Sequence, residues 1–352
     1  MRRILGRVLA ALMAIVIVAA LAVGLWGYRL MTRPFKGYPE AETYVEIVPG
    51  SSPQTMGRAL AAAGVVDGAI AFRIAVWLEG AGRRLQAGEY RFDAPLTPRA
   101  VVDRIVRGDV FLRPVTFREG LTIRQMAAIF AERGFGSAGE FIAAASKPGS
   151  VRALDPQAPD LEGYLFPDTY TLPRRTTADD LVARMVTRFE KALTLETRQQ
   201  AAARGLSVRA LVTLASLVEK ETAKGEERPL VAAVYANRVK IGMGMQCDPT
   251  VIYALERAGR YTGNLTRADL QFDSPYNTYR YAGLPPGPIA APGQASIEAA
   301  ANPAAVPYLY FVSRNDGSHA FASTLAEHNR NVFEFQVRYF RERRQKETGG
   351  RR

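Results

Sequence analysis

The chain is poor in the residues that build disulfides and metal sites. It has one cysteine, Cys247, and two histidines, His319 and His328, among 352 residues. A single cysteine excludes an intramolecular disulfide and a cysteine-rich metal centre. The two histidines do not lie in an HExxH spacing, which argues against a catalytic zinc. We therefore predict a protein with no metal and no cofactor.

Acidic residues are also in deficit. The chain has 46 lysines and arginines against 34 aspartates and glutamates, a net charge of +12. This charge favours an anionic partner, and nucleic acid, anionic lipid or an acidic polymer would each satisfy it. No nucleic-acid recognition motif accompanies the charge, so we expect no nucleic-acid binding. The length and the 48% hydrophobic content predict two or more folded domains.

Charge is missing altogether from Val8 to Tyr28, a stretch of 21 residues that is long enough to cross a bilayer as a helix. The basic residues on its two sides nearly balance, which gives weak support for a cytoplasmic N-terminus. These residues are Arg2, Arg3 and Arg7 before it and Arg29, Arg33 and Lys36 after it. Ala20-Leu21-Ala22 would suit a cleaved signal peptide, but apolar residues continue beyond it. We expect an uncleaved anchor, with the rest of the protein outside the cytoplasm.

An internal repeat has a spacing of seventy residues. Residues 45–64 and 115–134 each predict a strand, a glycine turn and a helix capped by serine or threonine. A valine, a glycine, a methionine and a second glycine coincide at four positions without a gap. Between the copies, residues 87–92 predict a strand, and Thr97 is the predicted cap of a helix over Pro98–Arg107. The order strand–helix–helix–strand resembles the small LysM glycan-binding module over residues 42–112. A small α+β packing domain without a ligand is the alternative.

A helix that ends in two carboxylates is the main candidate for chemistry. Ser207 is its predicted cap, and its helical positions place a polar face on Thr213, Ser216 and Lys220. Glu219 lies on the broad apolar arc and Glu221 on the far side of that arc. A carboxylate on a buried face is costly unless it is paired or protonated. A protonated glutamic acid is a proton donor; a glutamate held by a structural arginine is the alternative.

Beyond this helix the chain is dense with turn-forming residues. Residues 246–250 predict the cap of a short helix over Val251–Leu255, and residues 276–293 predict rigid irregular backbone of the kind that shapes a cleft. Residues 308–312 and 317–321 predict the two strands of a hairpin. His328 and Asn329 are predicted to open a final helix.

Five segments together resemble the endolytic murein transglycosylases, the YceG-like family. They are Ala215-Ser-Leu-Val-Glu-Lys-Glu-Thr222, Glu162-Gly-Tyr-Leu-Phe-Pro-Asp-Thr-Tyr170, Asp248-Pro-Thr-Val-Ile-Tyr253, Tyr276-Asn-Thr-Tyr279 with Gly283-Leu-Pro-Pro-Gly287, and Tyr308-Leu-Tyr-Phe-Val312 with His319 and His328-Asn329. The resemblance is strong over residues 160–335 and weaker over 40–150. It implies cleavage of nascent peptidoglycan strands near the membrane, leaving 1,6-anhydro-N-acetylmuramic acid ends.

The resemblance also implies site residues. The family's catalytic glutamate is the first acid of Glu-Lys-Glu-Thr, which is Glu219 here; helical geometry alone left Glu219 and Glu221 open. The predicted substrate-binding residues are Gln246, Asp248, Thr250, Tyr276, Asn277, Tyr279 and His319. Loop fixation is the alternative role for each of them. Glu221, Asp248 or Glu162 would be the second acid of a hydrolytic mechanism. An ion pair of Glu221 with Arg238 and a helix cap at Asp248 are their alternative roles.

The predicted fold class is α+β, with an N-terminal transmembrane helix, a LysM-like small α+β module and a C-terminal mixed α/β catalytic domain. The predicted domains are residues 1–36 (cytoplasmic tip, anchor and linker), 37–150 (LysM-like region with the repeat), 151–335 (catalytic) and 336–352 (basic tail). The tail carries a net charge of +5 from Arg338 onward and is predicted to be a solvated helix end followed by disorder. Attraction to anionic lipid or to stem-peptide carboxylates is the functional alternative.

The expected partners are peptidoglycan strands, the bacterial inner (plasma) membrane through a single helix, and, by the family resemblance, peptidoglycan synthases. The catalytic domain would lie on the periplasmic or extracytoplasmic side. Two other functions stay open at this point. One is a hydrolytic muramidase, and the other is a non-catalytic glycan-binding or synthase-scaffolding protein.

Overall fold

The structure, a computed structural model, describes residues 2–349, with the side chains of residues 12–22 and 24–345. The predicted flanking charges Arg2, Arg3 and Arg7 and the end of the basic tail from residue 346 lie outside the described side chains. The chain forms two compact units, each considered by itself. Unit 1 comprises the residues up to Pro114 and Thr171–Arg175, and unit 2 comprises Val115–Tyr170 and the residues from Thr176 onward.

Unit 1 follows the predicted strand–helix–helix–strand order. Its elements are, in chain order, α1 (Arg2–Thr32), β1 (Thr43–Ile47), α2 (Pro53–Ala62), α3 (Ala69–Leu78), β2 (Gly88–Phe92) and α4 (Pro98–Arg107). β1 and β2 pair antiparallel, with Val45 opposite Tyr90. Strands β3 (Leu112–Thr116) and β4 (Thr169–Pro173) pair with each other, and the chain passes from one unit to the other within each of them.

Helix caps set the start of the helices in unit 1. The Ser52 side chain accepts a hydrogen bond from the Thr55 N–H at the start of α2, and Thr97 accepts one from the Ala100 N–H at the start of α4. Proline follows each cap, where a missing N–H costs nothing. The strand predicted over residues 87–92 and the helix predicted over Pro98–Arg107 are confirmed.

The core of unit 1 lies between the two-stranded β1–β2 sheet and the three short helices. Leu60, Phe72, Phe92 and Ile105 are fully buried in it. Tyr90 is buried as well, and its hydroxyl donates to the Gln86 and Ile105 carbonyls at 2.9 and 3.2 Å. Burial raises the pKa of Tyr90 to about 12. The hydroxyl is thus satisfied inside the core, as a buried tyrosine requires.

Helix α1 supplies a long apolar surface. Its segment Leu12–Thr32 has a mean hydropathy of 1.9, is exposed and is long enough to cross a membrane by length and composition. The helix continues four residues past Tyr28, where the sequence predicted the apolar stretch to end. At that end, Met31 packs against the core of unit 1.

Unit 2 is mainly helical. Its helices are α5 (Ile123–Glu132), α6 (Ala138–Ala145), α7 (Ala178–Ala192), α8 (Leu195–Ala203), α9 (Val208–Glu221), α10 (Arg228–Lys240), α11 (Asp248–Arg257), α12 (Gln294–Ala301), α13 (Leu325–Val332) and α14 (Tyr339–Gly349). A π-helical segment, Phe333–Arg338, joins α13 to α14, and strands β5 (Tyr310–Ser313) and β6 (His319–Ala322) form an antiparallel hairpin. Single 3₁₀ turns lie at Pro148–Val151, Gly225–Glu227 and Asp269–Gln271.

Helix α9 is the central helix of unit 2. It contacts α8, α10, α11 and α12, and every residue from Leu211 to Val218 is buried. The prediction of a polar face on Thr213 and Ser216 is wrong: these side chains are 1% and 0% exposed. The Ser216 hydroxyl donates to the Thr213 carbonyl at 2.7 Å and accepts from the Ile289 N–H at 3.1 Å. The Ser216 hydroxyl is thus satisfied locally, whereas the buried Thr213 hydroxyl has no hydrogen-bond partner among the described residues. Neighbouring elements therefore cover this face of α9 too.

The starts of helices α13 and α11 differ from the predictions. The hairpin is confirmed, but His328 and Asn329 do not open the final helix. Thr324 does so, because Thr324 and Glu327 form a reciprocal capping box at the start of α13. His328 lies inside α13, stacked on the Tyr310 ring at 5.1 Å. Helix α11 begins at Asp248 and is longer than the predicted Val251–Leu255.

The turn at Gly163 brings backbone against α9. Gly163 has φ +82°, and a Cβ there would lie 2.4 Å from Pro288 Cβ and 3.0 Å from Val212 Cγ1. Gly205 has a similar φ of +74°, but a Cβ there would meet nothing within 4 Å. The two glycines therefore form a matched pair that differs only in crowding.

We expect Gly163→Ala to destabilise unit 2 by about 3 kcal/mol, since it adds overpacking to left-handed strain, and Gly205→Ala by about 1 kcal/mol from strain alone. Denaturant unfolding followed by circular dichroism measures both. Equal losses in the two variants would contradict the close packing of this turn on α9.

Candidate active site

Glu219 lies in the last turn of α9, with its side chain only 6% exposed. Oε1 accepts from Arg228 Nη2 at 3.4 Å, and Oε2 accepts from the Gly293 N–H at 2.9 Å. Arg228 is the first residue of α10, and Gly293 is the N-cap of α12. Three helix termini thus converge on one buried carboxyl group, which accounts for how its burial is tolerated.

A second carboxyl group, which the sequence did not suggest, lies beside this one. Glu119 Oε2 is 3.6 Å from the same Nη2 atom of Arg228, and the Glu119 side chain is 48% exposed. Its carboxyl lies so close over Gly293 that a Cβ on Gly293 would be 1.7 Å from Glu119 Oε1. Partial burial and the charge of Glu219 raise the pKa of Glu119, while Arg228 opposes this shift.

Backbone pairing holds the Glu119 turn against the loop before α12. The Gly120 N–H donates to the Ala291 carbonyl and the Ala291 N–H donates to the Leu121 carbonyl, each at 2.8 Å. Lys220 Nζ, next to Glu219 on α9, donates to the Gly120 carbonyl at 3.2 Å. These bonds fix the approach of Glu119 to Glu219, although one hundred residues separate them in sequence.

Glu221 points into a different environment. It accepts from the Cys247 thiol at 3.3 Å, and burial raises its pKa, opposed by hydrogen bonds from Cys247 and Tyr235. The predicted ion pair of Glu221 with Arg238 is wrong. Arg238 donates instead to the Leu309, Gly244 and Met245 carbonyls. Arg238 therefore fixes loops, and the thiol and the tyrosine take the place of a cation at Glu221.

Four of the predicted substrate-binding residues lie together at the start of α11. The Tyr279 hydroxyl donates to Asp248 at 2.6 Å, and Tyr279 is 37% exposed. Gln246 is exposed and has φ +50°. Thr250 is fully buried, bonded to the Cys247 carbonyl and the Thr278 hydroxyl. The predicted cap at Asp248 is wrong, because the N-cap is Cys247 and makes no side-chain cap bond.

The other three predicted residues lie apart. Asn277 is fully buried and donates to the Leu270 and Phe272 carbonyls at 3.0 and 2.8 Å, so it fixes its own loop. The Tyr276 ring lies 5.0 Å from the Tyr253 ring. His319 Nδ1 lies 2.7 Å from Glu227 Oε2, next to Arg228. In the described hydrogen bonds and ion pairs, none of the seven predicted binding residues contacts Glu219.

Glu162 occupies a separate cavity of about 150 Å³ beneath α5. Its carboxyl accepts from the Ile123 N–H at 3.1 Å and from the Tyr253 hydroxyl at 3.3 Å. Burial raises the pKa of Glu162 to about 8. Since Ile123 is the first residue of α5, Glu162 fixes the helix that follows the Glu119 turn.

Comparison with known proteins gives a consistent result. The model of the YceG-like family matches residues 45–334. An endolytic murein transglycosylase of Bacillus subtilis (strain 168) is 33% identical over 323 residues, which cover 87% of this chain and 88% of that protein. An endolytic murein transglycosylase of Streptococcus pneumoniae (strain ATCC BAA-255 / R6) is 30% identical over 348 residues, covering 89% of this chain and 62% of that protein.

A solved structure is similar as well. The crystal structure of a yceG-like protein, lmo1499, from Listeria monocytogenes superposes with a TM-score of 0.57 and 30% sequence identity. The match covers 82% of this chain and 98% of that one. It extends the similarity from sequence to fold.

Proposed function

The chain belongs to the YceG-like family, and on that premise we propose that it is an endolytic lytic transglycosylase of peptidoglycan. It cleaves the bond between N-acetylmuramic acid and N-acetylglucosamine in nascent strands, leaves 1,6-anhydro-N-acetylmuramic acid ends and so helps to terminate strand elongation. The observation that carries the proposal is the buried Glu219 carboxyl at the convergence of α9, α10 and α12. It occupies the family's Glu-Lys-Glu-Thr position.

In the proposed reaction, Glu219 acts as acid and then as base. Its proton passes to the glycosidic oxygen as the bond from muramyl C1 breaks through an oxocarbenium-like transition state. The Glu219 carboxylate then takes the proton of the muramyl C6 hydroxyl, whose oxygen bonds to C1. One proton leaves the enzyme and one returns, and no water is consumed. Arg228 and the Gly293 N–H stabilise the carboxylate between the two steps.

The proposed glycan contacts come from the exposed part of the predicted set. Tyr279 offers a half-exposed ring for stacking on a sugar, and Asp248 and Gln246 offer hydrogen-bonding groups beside it. Tyr276 is a further candidate. Thr250 and Asn277 would act indirectly, because their polar groups already bond within the protein. We propose that His319, through Glu227, holds the start of α10 and hence Arg228.

The proposed cellular setting follows from unit 1. The β1–α2–α3–β2 order supports a LysM-like module, and α1 supports a single-pass anchor in the bacterial inner (plasma) membrane. The catalytic part would lie on the periplasmic or extracytoplasmic side, where peptidoglycan synthases are the proposed partners. The domain limits at residues 36, 150 and 335 stay a prediction.

A hydrolytic muramidase is the second candidate, and Glu119 favours it specifically. Hydrolysis needs a second carboxyl group as base or nucleophile. The carboxyl groups of Glu119 and Glu219 both contact the Nη2 atom of Arg228. A non-catalytic scaffold would need no such pair of acids. The product end separates the three functions.

The test is a digestion of purified peptidoglycan by the full chain in detergent, with product ends identified by mass spectrometry. We expect internal cleavage that yields anhydro-muramyl ends, each lighter by one water than a reducing end. Reducing ends would establish the muramidase instead. Glycan binding without cleavage would support the scaffold.

A further inference from the structure

Two carboxyl groups share one cation at the candidate site. Arg228 Nη2 is 3.4 Å from Glu219 Oε1 and 3.6 Å from Glu119 Oε2, so one nitrogen faces both acids at nearly equal distance. Both distances exceed the 2.7–2.9 Å that is usual for a tight charge-assisted hydrogen bond. Arg228 Nη2 therefore donates only a long hydrogen bond to Glu219 while it also pairs with Glu119, and its single charge cannot neutralise both acids.

The charges of the three groups indicate how many protons the two carboxyl groups hold together. With both acids ionised, the cluster would carry one net negative charge at a site where the Glu219 side chain is 6% exposed. With one proton retained the cluster is neutral, which a poorly solvated site favours. Both carboxyl groups face the same Arg228 nitrogen, so a negative charge on one disfavours a negative charge on the other.

We propose that Glu119 and Glu219 form a carboxyl pair that retains one proton beside Arg228. Glu119 is a positioning residue in this pair: it draws Arg228 away from Glu219 and keeps the proton available for glycan cleavage. This inference rests on the proposed transglycosylase function and goes beyond the single acid that the family resemblance implies.

Other ionisable groups near the pair have partners of their own. Lys220 donates to the Gly120 carbonyl, Glu221 accepts from Cys247, Asp248 accepts from Tyr279, Glu227 binds His319 and Glu298 accepts from Gln294. The charges that act on Glu119 are those of Glu219 and Arg228. The shift in the pKa of Glu119, raised by partial burial and by Glu219, agrees with a retained proton.

The proposed pair predicts that substitutions of Glu119 and of Arg228 shift the pH–rate profile in opposite directions. In Glu119→Gln, Arg228 pairs with Glu219 alone and favours its ionised form, so the alkaline limb of the pH–rate profile moves to lower pH. We expect kcat to fall about thirtyfold near pH 8 and to stay within about threefold of wild type near pH 5, since each pH unit of displacement changes the protonated fraction tenfold. Arg228→Gln should move the same limb to higher pH.

The double variant Glu119→Gln/Arg228→Gln loses one negative and one positive charge together. The alkaline limb of its pH–rate profile should therefore return toward the wild-type pH, whatever its overall rate. Glu119→Asp should restore part of the profile. If Glu119 merely anchors its turn, Glu119→Gln lowers the rate equally at all pH values and the double variant does not restore the limb. That result, or an unchanged profile, overturns the proposal.

A readout without turnover separates this inference from the proposed function. In the full chain with ¹³Cδ-labelled glutamate, Glu119→Gln and Glu219→Gln should each change the titration of the other acid's carboxyl resonance. Independent titration of the two resonances overturns the pair even if cleavage occurs. Coupled titration with no anhydro ends overturns the proposed function and leaves the pair standing.

Discussion

Glu219→Gln is expected to lower the rate of peptidoglycan cleavage by about a thousandfold, the size of a general acid–base contribution. The amide keeps the shape of the side chain and can still accept from the Gly293 N–H, but it has no acidic proton to give to the glycosidic oxygen. The loss should appear in kcat, with glycan binding retained, because the substitution leaves the loops around α11 unchanged.

Glu221→Gln is the matched control two residues away. Burial raises the pKa of Glu221, its contacts are the Cys247 thiol and Tyr235, and glutamine is the neutral isostere of a glutamic acid. We expect its rate to stay within about threefold of wild type, since the glutamine carbonyl oxygen can still accept the hydrogen bond from the Cys247 thiol. A large loss in Glu221→Gln beside an active Glu219→Gln would transfer the catalytic role to Glu221.

Glu162→Gln is expected to change the pH dependence of stability rather than the reaction. Burial raises the pKa of Glu162 from 4.5 to about 8, so between these values the folded state keeps a proton that the unfolded chain releases. Wild-type stability therefore falls as the pH rises through this window. The glutamine variant lacks this dependence. Relative to wild type it should gain on the order of 5 kcal/mol by the alkaline end of the window, and little at its acid end.

Denaturant unfolding at several pH values measures this difference. Both tryptophans, Trp26 and Trp77, lie in unit 1, so tryptophan fluorescence reports unit 1 and far-ultraviolet circular dichroism also reports the helices of unit 2. The pH-dependent gain should appear in the dichroism transition. A constant difference between variant and wild type at all pH values would mean that Glu162 is ionised throughout.

Local chemistry made much of the fold predictable. Both copies of the repeat have the predicted form, because glycine and a capping hydroxyl specify a turn and a helix start without help from distant residues. Gly50 and Gly120 both have positive φ, and Ser52 and Thr122 both cap their helices. The strand over residues 87–92 and the helix over Pro98–Arg107 follow from equally local signals.

Tertiary packing decided the features that the sequence did not predict. A helical-wheel projection of α9 alone contains no information on α12 or on the loop at Ile289, which cover the face of Thr213 and Ser216. The opposite charges of Arg238 and Glu221 suggested an ion pair, yet that arginine donates to backbone carbonyls instead. The position of His328 inside α13 was predictable in principle, since Thr324 and Glu327 have the spacing of a capping box.

Glu119 is the functional candidate that sequence reasoning missed. Its one signal is a departure from the repeat: Pro49 precedes the glycine in the first copy, and Glu119 precedes it in the second. A charged residue at the tip of an otherwise repeated turn indicates a task beyond the turn itself. Only the fold brings Glu119 to Arg228 and Glu219.

Digestion of peptidoglycan by the full chain in H₂¹⁸O, with mass spectrometry of the new muramyl ends, tests whether water takes part in the cleavage. Attack by the muramyl C6 oxygen predicts anhydro ends that contain no ¹⁸O, because water takes no part in the reaction. Reducing ends with one ¹⁸O at C1 would exclude intramolecular attack by the C6 oxygen and identify the protein as a hydrolase.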